Sequence, residues 1–228
     1  MMSAVENPIT THDLIDRALE SNVPSVSKGR GHLGFSQIGK PCERDLWYGF
    51  RWATLVSFPA RMLRLFDRGQ KEELRFNEWL RLAGLQVWDV NPNTRKQWRV
   101  KEIAGHMGGS LDGVIKGLVE SKKPHVVEQK THNDRSFKDV VRRGVEASKP
   151  QHFSQMQGYM YLMDIEDALY MAINKNDDDL YLERVKLKKI HAKELIKKGR
   201  RIITAPLPLG KLSEDPGFYQ CKWCDHYN

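Results

Sequence analysis

The sequence predicts an α/β protein with a central mixed β-sheet flanked by helices. Three observations lead there. Short segments over 86–90, 97–103, 108–115 and 124–131 carry strand-like alternation bounded by glycine, proline and asparagine. Before them, Met62, Leu65, Phe66, Leu74, Phe76, Trp79 and Leu80 recur at helical spacing. After them, a helix over 151–164, strands near 168–175 and 181–186, and a last helix over 190–204 repeat the alternation of element types.

Taken in order, residues 1–34 read as a peripheral N-terminal segment. A capped short helix spans 11–20, and 24–34 reads as loop. The apolar spacing from Arg61 predicts one long helix, or two joined near Gly69, ended by Gly84. The charged stretch 132–150, opening His-Asn-Asp-Arg, is expected to be a mobile loop with a short helix on the substrate side. Asn176-Asp-Asp-Asp179 separates the last two strands as a turn. The final helix carries Lys193, Lys197, Lys198, Arg200 and Arg201, and its exposed side could contact a phosphate backbone.

At 228 residues the chain suits one domain with a sizeable core, and it contains no internal repeat or low-complexity linker. No apolar run approaches the length of a membrane span and no secretory leader is visible, so a cytoplasmic setting without membrane attachment is expected. Formal net charge of +8 favours a polyanionic partner.

The most informative chemistry lies in Gly105-His-Met-Gly-Gly-Ser-Leu-Asp-Gly-Val-Ile115 and Pro124-His-Val-Val-Glu-Gln-Lys-Thr131. Side chains alternate along a strand, so Glu128 and Lys130 share one side above Val126, while Val127 and Gln129 face the other. Gln129 can still offer its backbone carbonyl. Asp112 would come from the paired strand, where Gly108, Gly109 and Gly113 permit close backbone approach. Two carboxylates, a carbonyl and a lysine form a hard-cation site with a fixed positive charge beside it, a combination suited to phosphodiester hydrolysis. A D…ExK spacing alone is weak, because an exposed Glu128–Lys130 salt bridge would produce the same pattern.

In this context Asp112 with Glu128-Gln-Lys130 resembles the PD-(D/E)xK nuclease superfamily, and the chain from Ser36 onward is similar to its phage and RecB-like exonuclease branch, the λ-exonuclease-like group. Leu111 stands where the superfamily name has proline. Ser36-Gln-Ile-Gly-Lys-Pro-Cys-Glu-Arg-Asp-Leu-Trp-Tyr48 looks like the helix that opens the nuclease domain, and Arg68-Gly-Gln-Lys-Glu-Glu73 like the next. The branch places an acidic residue four positions after that glycine, which selects Glu73 over Glu72. Gln155-Met-Gln-Gly-Tyr-Met-Tyr161 is similar to the later helix with an active-site glutamine and tyrosine. Two registers fit, Gln155 with Tyr159 or Gln157 with Tyr161.

The resemblance implies a restriction-endonuclease-like core over 35–228 and a Mg²⁺- or Mn²⁺-dependent deoxyribonuclease. Asp112, Glu128, Glu73 and the Gln129 carbonyl would hold the metal, Lys130 would hold the attacking water, and Gln155 or Gln157 would position water or phosphate. It further implies DNA as substrate, end-processing in phage-type recombination, repair or replication, a single-strand annealing or recombination protein as partner, and the host cytoplasm as setting if the chain is phage-encoded. A structure-specific endonuclease and a non-catalytic nucleic-acid-binding module are the alternatives.

Cys42 and Cys221-Lys-Trp-Cys224 make a second constellation. A CxxC pair chelates readily, and a distant third cysteine would tie the ends of the domain together. The placement resembles nucleases of the same branch in which one N-terminal and three C-terminal cysteines hold a 4Fe–4S cluster. The fourth cysteine does not occur in the sequence. Its place would be taken by a residue outside it or by His226, as in a Cys₃His Zn²⁺ centre, unless the three are ordinary free thiols.

Overall fold

The structure is a computed structural model that describes residues 9–22, 31–54, 57–215 and 217–226. Helix α1 (Thr11–Ser21) begins with a capping box between Thr10 and Asp13 and buries none of its residues. Strand β1 (Leu33–Gly34) runs straight into α2 (Phe35–Ile38), and α3 (Glu43–Phe50) follows. Of the expected loop over 24–34, residues 24–30 lie outside the described residues, while Leu33 and Gly34 form a buried strand. The single helix expected around residues 36–48 is two, interrupted at Gly39-Lys-Pro-Cys42, because proline disfavours helical geometry in the residue before it.

Helix α4 (Ala60–Leu82) is one unbroken helix of 23 residues. Gly69 does not divide it. Ala83 caps it and Gly84, at φ +83°, turns the chain out of it. The Glu20 carboxylate accepts the Ala60 N–H at 2.8 Å and Arg64 pairs with Asp16, which fastens α1 to the start of α4.

Next come β2 (Gln86–Trp88), the small ribbon β3 (Val90–Asn91) with β4 (Lys96–Gln97), β5 (Arg99–Glu102), β6 (Met107–Ser110), β7 (Gly113–Lys116) and β8 (His125–His132). Helices α5 (Asp134–Ser148) and α6 (Pro150–Met163), strands β9 (Asp167–Asn174) and β10 (Leu180–Lys186), and helix α7 (Lys189–Thr204) complete the α/β fold. A five-stranded mixed sheet has the order β10-β9-β8-β7-β2. Its β8–β9 pair is parallel and the other pairs are antiparallel. A second, three-stranded sheet has the order β1-β6-β5.

Every residue of β9 is buried, the signature of a central strand covered on both faces. The neighbouring β8 shows how the layers divide. Val126 belongs to a core with Phe137, Val140, Phe153, Met156, Tyr159 and Leu195, whereas Val127 joins Phe76 and Leu80 of α4. The sheet therefore lies between α4 on one face and α5, α6 and α7 on the other.

Residues 134–148 are helical, a longer helix than the one expected there beside a mobile loop. Their many charges conceal an apolar stripe: Phe137, Val140 and Val145 are buried while the charged side chains face outward. Asn133 caps the start by accepting the Ser136 N–H at 2.9 Å. Gly144, at φ 72°, breaks the helix near its end, and the Glu183 carboxylate accepts the freed Val145 N–H at 2.7 Å.

Helix α7 is anchored from the other end of the chain. Arg51 donates to the carbonyls of Ile202 at 3.2 Å and Ala205 at 2.6 Å, and Trp47 Nε1 donates to Ala205 O at 2.9 Å. These bonds satisfy carbonyls that a helix end leaves without intrahelical partners. The cations of α7 are also largely engaged: Lys198 donates to Ile38 O at 2.8 Å, Arg201 to Glu43 at 2.8 Å and Lys197 to Glu194 at 2.7 Å. Among the described residues, no helix is long and apolar enough to cross a membrane.

Candidate active site

The segment expected as one strand over 108–115 changes sheets in its middle. β6 belongs to the three-stranded sheet and β7 to the five-stranded one, with Leu111 and Asp112 at the joint. Leu111 is fully buried and its N–H donates to Trp98 O at 3.1 Å. Proline at this position would lack that donor, which accounts for leucine there. With Leu111 anchored inward, Asp112 meets β8, where its Oδ2 accepts the Gln129 N–H at 2.8 Å.

On β8, Glu128 and Lys130 share a face and form a direct ion contact. Glu128 is fully buried, and its Oε2 has no hydrogen-bond partner among the described residues. Lys130 Nζ also donates to Gln129 O at 3.1 Å. The Gln129 side chain faces the other way, as alternation requires, and its Nε2 donates to Asn77 Oδ1 of α4 at 2.8 Å.

One turn before Asn77, Glu73 comes under the influence of Asp112 and Lys130. Burial first and the Asp112 charge second push its carboxyl up to about 7, against the pull of Lys130. Glu72, the alternative, is paired with Arg75 of its own helix at 2.8 Å. Burial likewise raises Glu128 above the usual carboxylate range; Lys130 opposes this, and Asp112 and Glu73 add to it. Burial works against the Lys130 charge, but Glu128 and then Asp112 outweigh it, so Lys130 is held firmly protonated. Three carboxylates thus sense one another and one ammonium. Neutralising them all at once requires more positive charge than Lys130 carries.

A divalent cation fits that deficit. Glu128 Oε2 is a buried oxygen without a donor, and the nearby donors are all hard oxygens. Among the described residues, no three His, Cys, Asp or Glu side chains stand close enough to enclose an ion by themselves. Mg²⁺ needs only one or two carboxylates and keeps water or substrate phosphate in its remaining positions.

The two glutamines of α6 have different surroundings. Gln157 is fully buried and bound at both ends to backbone, its Nε2 donating to Lys186 O at 2.9 Å and its Oε1 accepting from Lys188 N at 2.6 Å. It joins α6 to the β10–α7 connection. Gln155 instead donates to Tyr159 Oη at 3.4 Å. Tyr159 in turn lies over Gly109 of β6, where an added Cβ would come within 2.5 Å of its hydroxyl. The Gln155–Tyr159 pair is therefore the one brought toward the Asp112 joint.

Two of the cysteines, Cys42 and Cys224, lie beside Asp45. Cys42 caps α3 by accepting the Asp45 N–H at 3.4 Å, and Cys224 Sγ lies 3.5 Å from Asp45 Oδ1. His226 Nε2 is 3.7 Å from the same oxygen, while its Nδ1 is 2.9 Å from Thr54 Oγ1. All three cysteines are free thiols. A structural zinc or iron–sulfur centre needs about four direct protein ligands, and among the described residues Cys42, Cys221, Cys224 and His226 do not group as such a set.

Beside the carboxylates lies a cluster of which the sequence indicates His132, flanking its strand, but not the partners around it. His132 Nε2 and His152 Nδ1 lie 2.8 and 2.9 Å from Tyr170 Oη, and Ser136 Oγ is 3.1 Å from His132 Nδ1. The signal available was period two on β8, which places His132 on the face of Glu128 and Lys130.

No family model and no curated protein matches the chain. Solved structures do. LHK-Exo in complex with dAMP matches with a TM-score of 0.56 at 17% identity, over 78% of this chain and 88% of that one. LHK-Exo described as an alkaline exonuclease from Laribacter hongkongensis matches at 0.55 and 16%, over 82% and 90%. SSO0001 matches at 0.55 and 16%, over 96% and 94%. The chain thus has the fold of these proteins, a helix-flanked mixed sheet.

Proposed function

We propose that this protein is a metal-dependent DNA nuclease acting from DNA ends. The observation that carries the reading is the buried Glu128 carboxylate, paired with Lys130 through one oxygen and lacking a donor at the other, beside Asp112 and Glu73. An ordinary surface salt bridge would be exposed and fully solvated. The likeness to an alkaline exonuclease supports the same reading, as does the dAMP bound to that neighbour, since a mononucleotide is the class of product that end-trimming releases.

Asp112, Glu128 and the Gln129 carbonyl would hold Mg²⁺ or Mn²⁺, with Glu73 reaching the metal through a water. When bound, the metal would supply Lewis-acid polarisation of the phosphate and a more acidic water. Lys130 Nζ would orient the attacking water and stabilise charge on the phosphorane. Its position is fixed by Glu128 and the Gln129 carbonyl, so its orientation precedes substrate binding. Gln155, paired with Tyr159, would hold water or a phosphate oxygen, while Gln157 maintains the helix seat. The net charge of +8 would draw DNA to the site with little sequence preference.

The test is a Mg²⁺ assay on linear and circular duplex DNA with the parent and Lys130→Ala. Digestion of linear DNA alone, lost in the variant, is expected. Cleavage of the circle would replace end-processing by an endonuclease, and full activity of Lys130→Ala would overturn the mechanism.

A further inference from the structure

The His152–Tyr170–His132–Ser136 cluster takes no part in the chemistry above, yet it adjoins it. Tyr170 is the register partner of Glu128 across the parallel β8–β9 pair, so both side chains rise from the same face of the sheet. His132 stands two residues beyond Lys130 on that face. From α6, the His152 ring stacks on His132 with centroids 5.9 Å apart and on Tyr170 at 5.9 Å. Its Nδ1 is tied to Tyr170 Oη at 2.9 Å. Among the described residues, its Nε2 has no protein partner.

Because the Tyr170 hydroxyl is fully buried and must donate within the chain, only two directions are consistent. In one, Ser136 donates to His132 Nδ1, His132 Nε2 donates to Tyr170, and Tyr170 donates to His152 Nδ1. His152 then presents Nε2–H outward. In the other, every bond reverses and Nε2 presents a lone pair. An anion beside Lys130 selects the first. Burial, with Lys130 contributing, depresses His152 to about 3, and burial with Lys149 and Lys130 lowers His132 to about 4, so both rings are neutral at working pH. A neutral donor grips an anion without repelling the lysine beside it.

We infer that His152 binds substrate, donating Nε2–H to a non-bridging oxygen of a DNA backbone phosphate next to the Lys130 centre, and that Tyr170, His132 and Ser136 are positioning residues that set its tautomer. This rests on the nuclease reading. It adds a contact outside the carboxylate–lysine set, made by a residue whose ring is held before substrate arrives.

The experiment is single-turnover cleavage of end-labelled duplex oligonucleotides in Mg²⁺ by the full chain. Each substrate carries either natural linkages or one uncharged methylphosphonate, moved in turn through the linkages near the end. On natural DNA, His152→Ala should be slower by about 10–100-fold, with Tyr170→Phe in between and His152→Gln partly restored because it keeps a donor. At one linkage the methylphosphonate should slow the parent but scarcely slow His152→Ala further, because each change removes the same bond. Loss of folding would slow all substrates alike and cannot produce that position-specific non-additivity. Parent-like kinetics of His152→Ala, or equal slowing by the methylphosphonate at every position in both proteins, overturns the inference while the nuclease reading stands. An inactive parent, indistinguishable from Lys130→Ala, overturns both.

Discussion

Lys130 Nζ meets Glu128 Oε1 directly on one face of β8, and the carboxylate it meets is fully buried. Removing one partner of such a pair leaves an uncompensated charge, whereas removing both leaves none. Lys130→Met should therefore destabilise the protein by on the order of 2–4 kcal/mol, and the Glu128→Gln, Lys130→Met double variant by less. Urea unfolding measures both. Both should be inactive, which separates the stability role of the pair from its chemical one.

The raised carboxylates set a pH dependence. With Glu73 pushed up to about 7 and Glu128 raised as well, the folded protein holds these protons more tightly than the unfolded chain. Their contribution to stability is present below the ordinary carboxylate range and is lost as pH rises through about 7. The metal-free melting temperature should fall over that interval. Mg²⁺ competes with the protons, so its binding and the cleavage rate should rise over the same interval, and calorimetric titration at several pH values checks the sign. A flat profile would mean that these carboxylates do not share the metal.

Glu73→Gln should cut Mg²⁺-dependent cleavage at least tenfold, while Glu78→Gln, on the exposed side of α4, should leave it near the parent value. Glu72→Gln should act on stability through Arg75 and spare the metal dependence. Rates measured across a range of Mg²⁺ concentrations distinguish the three.

Gly109→Ala tests the Tyr159 contact. Its Cβ would fall within 2.5 Å of the Tyr159 hydroxyl and force the ring, or β6, to move. Activity should drop by more than the loss of melting temperature explains, because Gln155 is bonded to that hydroxyl. Tyr159→Phe in the same background should relieve part of the clash but not restore the Gln155 bond.

At the C-terminal tail, Asp45→Asn should lower the melting temperature more than Cys221→Ser, since Asp45 lies beside both Cys224 and His226. Elemental analysis of protein purified without oxygen should distinguish free thiols, with neither stoichiometric zinc nor iron with sulfide, from a metal centre. Either metal at one equivalent would show that the tail closes around an ion in solution.

Much of this architecture was legible because period and punctuation agree with burial. The Glu128–Lys130 alternation and the helix over 150–163 follow from spacing alone. Gly84 ends α4 as its φ of +83° requires. The sheet change at Leu111–Asp112 was not legible, since a strand that passes from one sheet to another keeps its local pattern throughout. Nor was the identity of the seated glutamine, because Gln155 and Gln157 differ only in what tertiary packing places beside them. Helix α5 is longer than the short helix expected there: its charges dominate its composition, although Phe137 and Val140 mark its buried stripe. The histidine cluster required β9 to lie parallel to β8, a long-range fact that no local window contains.

The bonds from Arg51 to the end of α7 also bear on how the chain comes to be folded during synthesis. Partners 151 and 154 positions apart cannot meet until Ile202 and Ala205 have left the ribosome. Contacts of such separation form late and slow the search for the native topology. A nascent chain stalled before residue 202 would expose the apolar side of α3 and leave Trp47 without its acceptor. The residues of β8, α6 and β9 have emerged by then, so the carboxylate centre is free to assemble before α7 is fastened. Pulse proteolysis of chains arrested at successive lengths should find protection of α3 arriving last, in a single step with the emergence of α7.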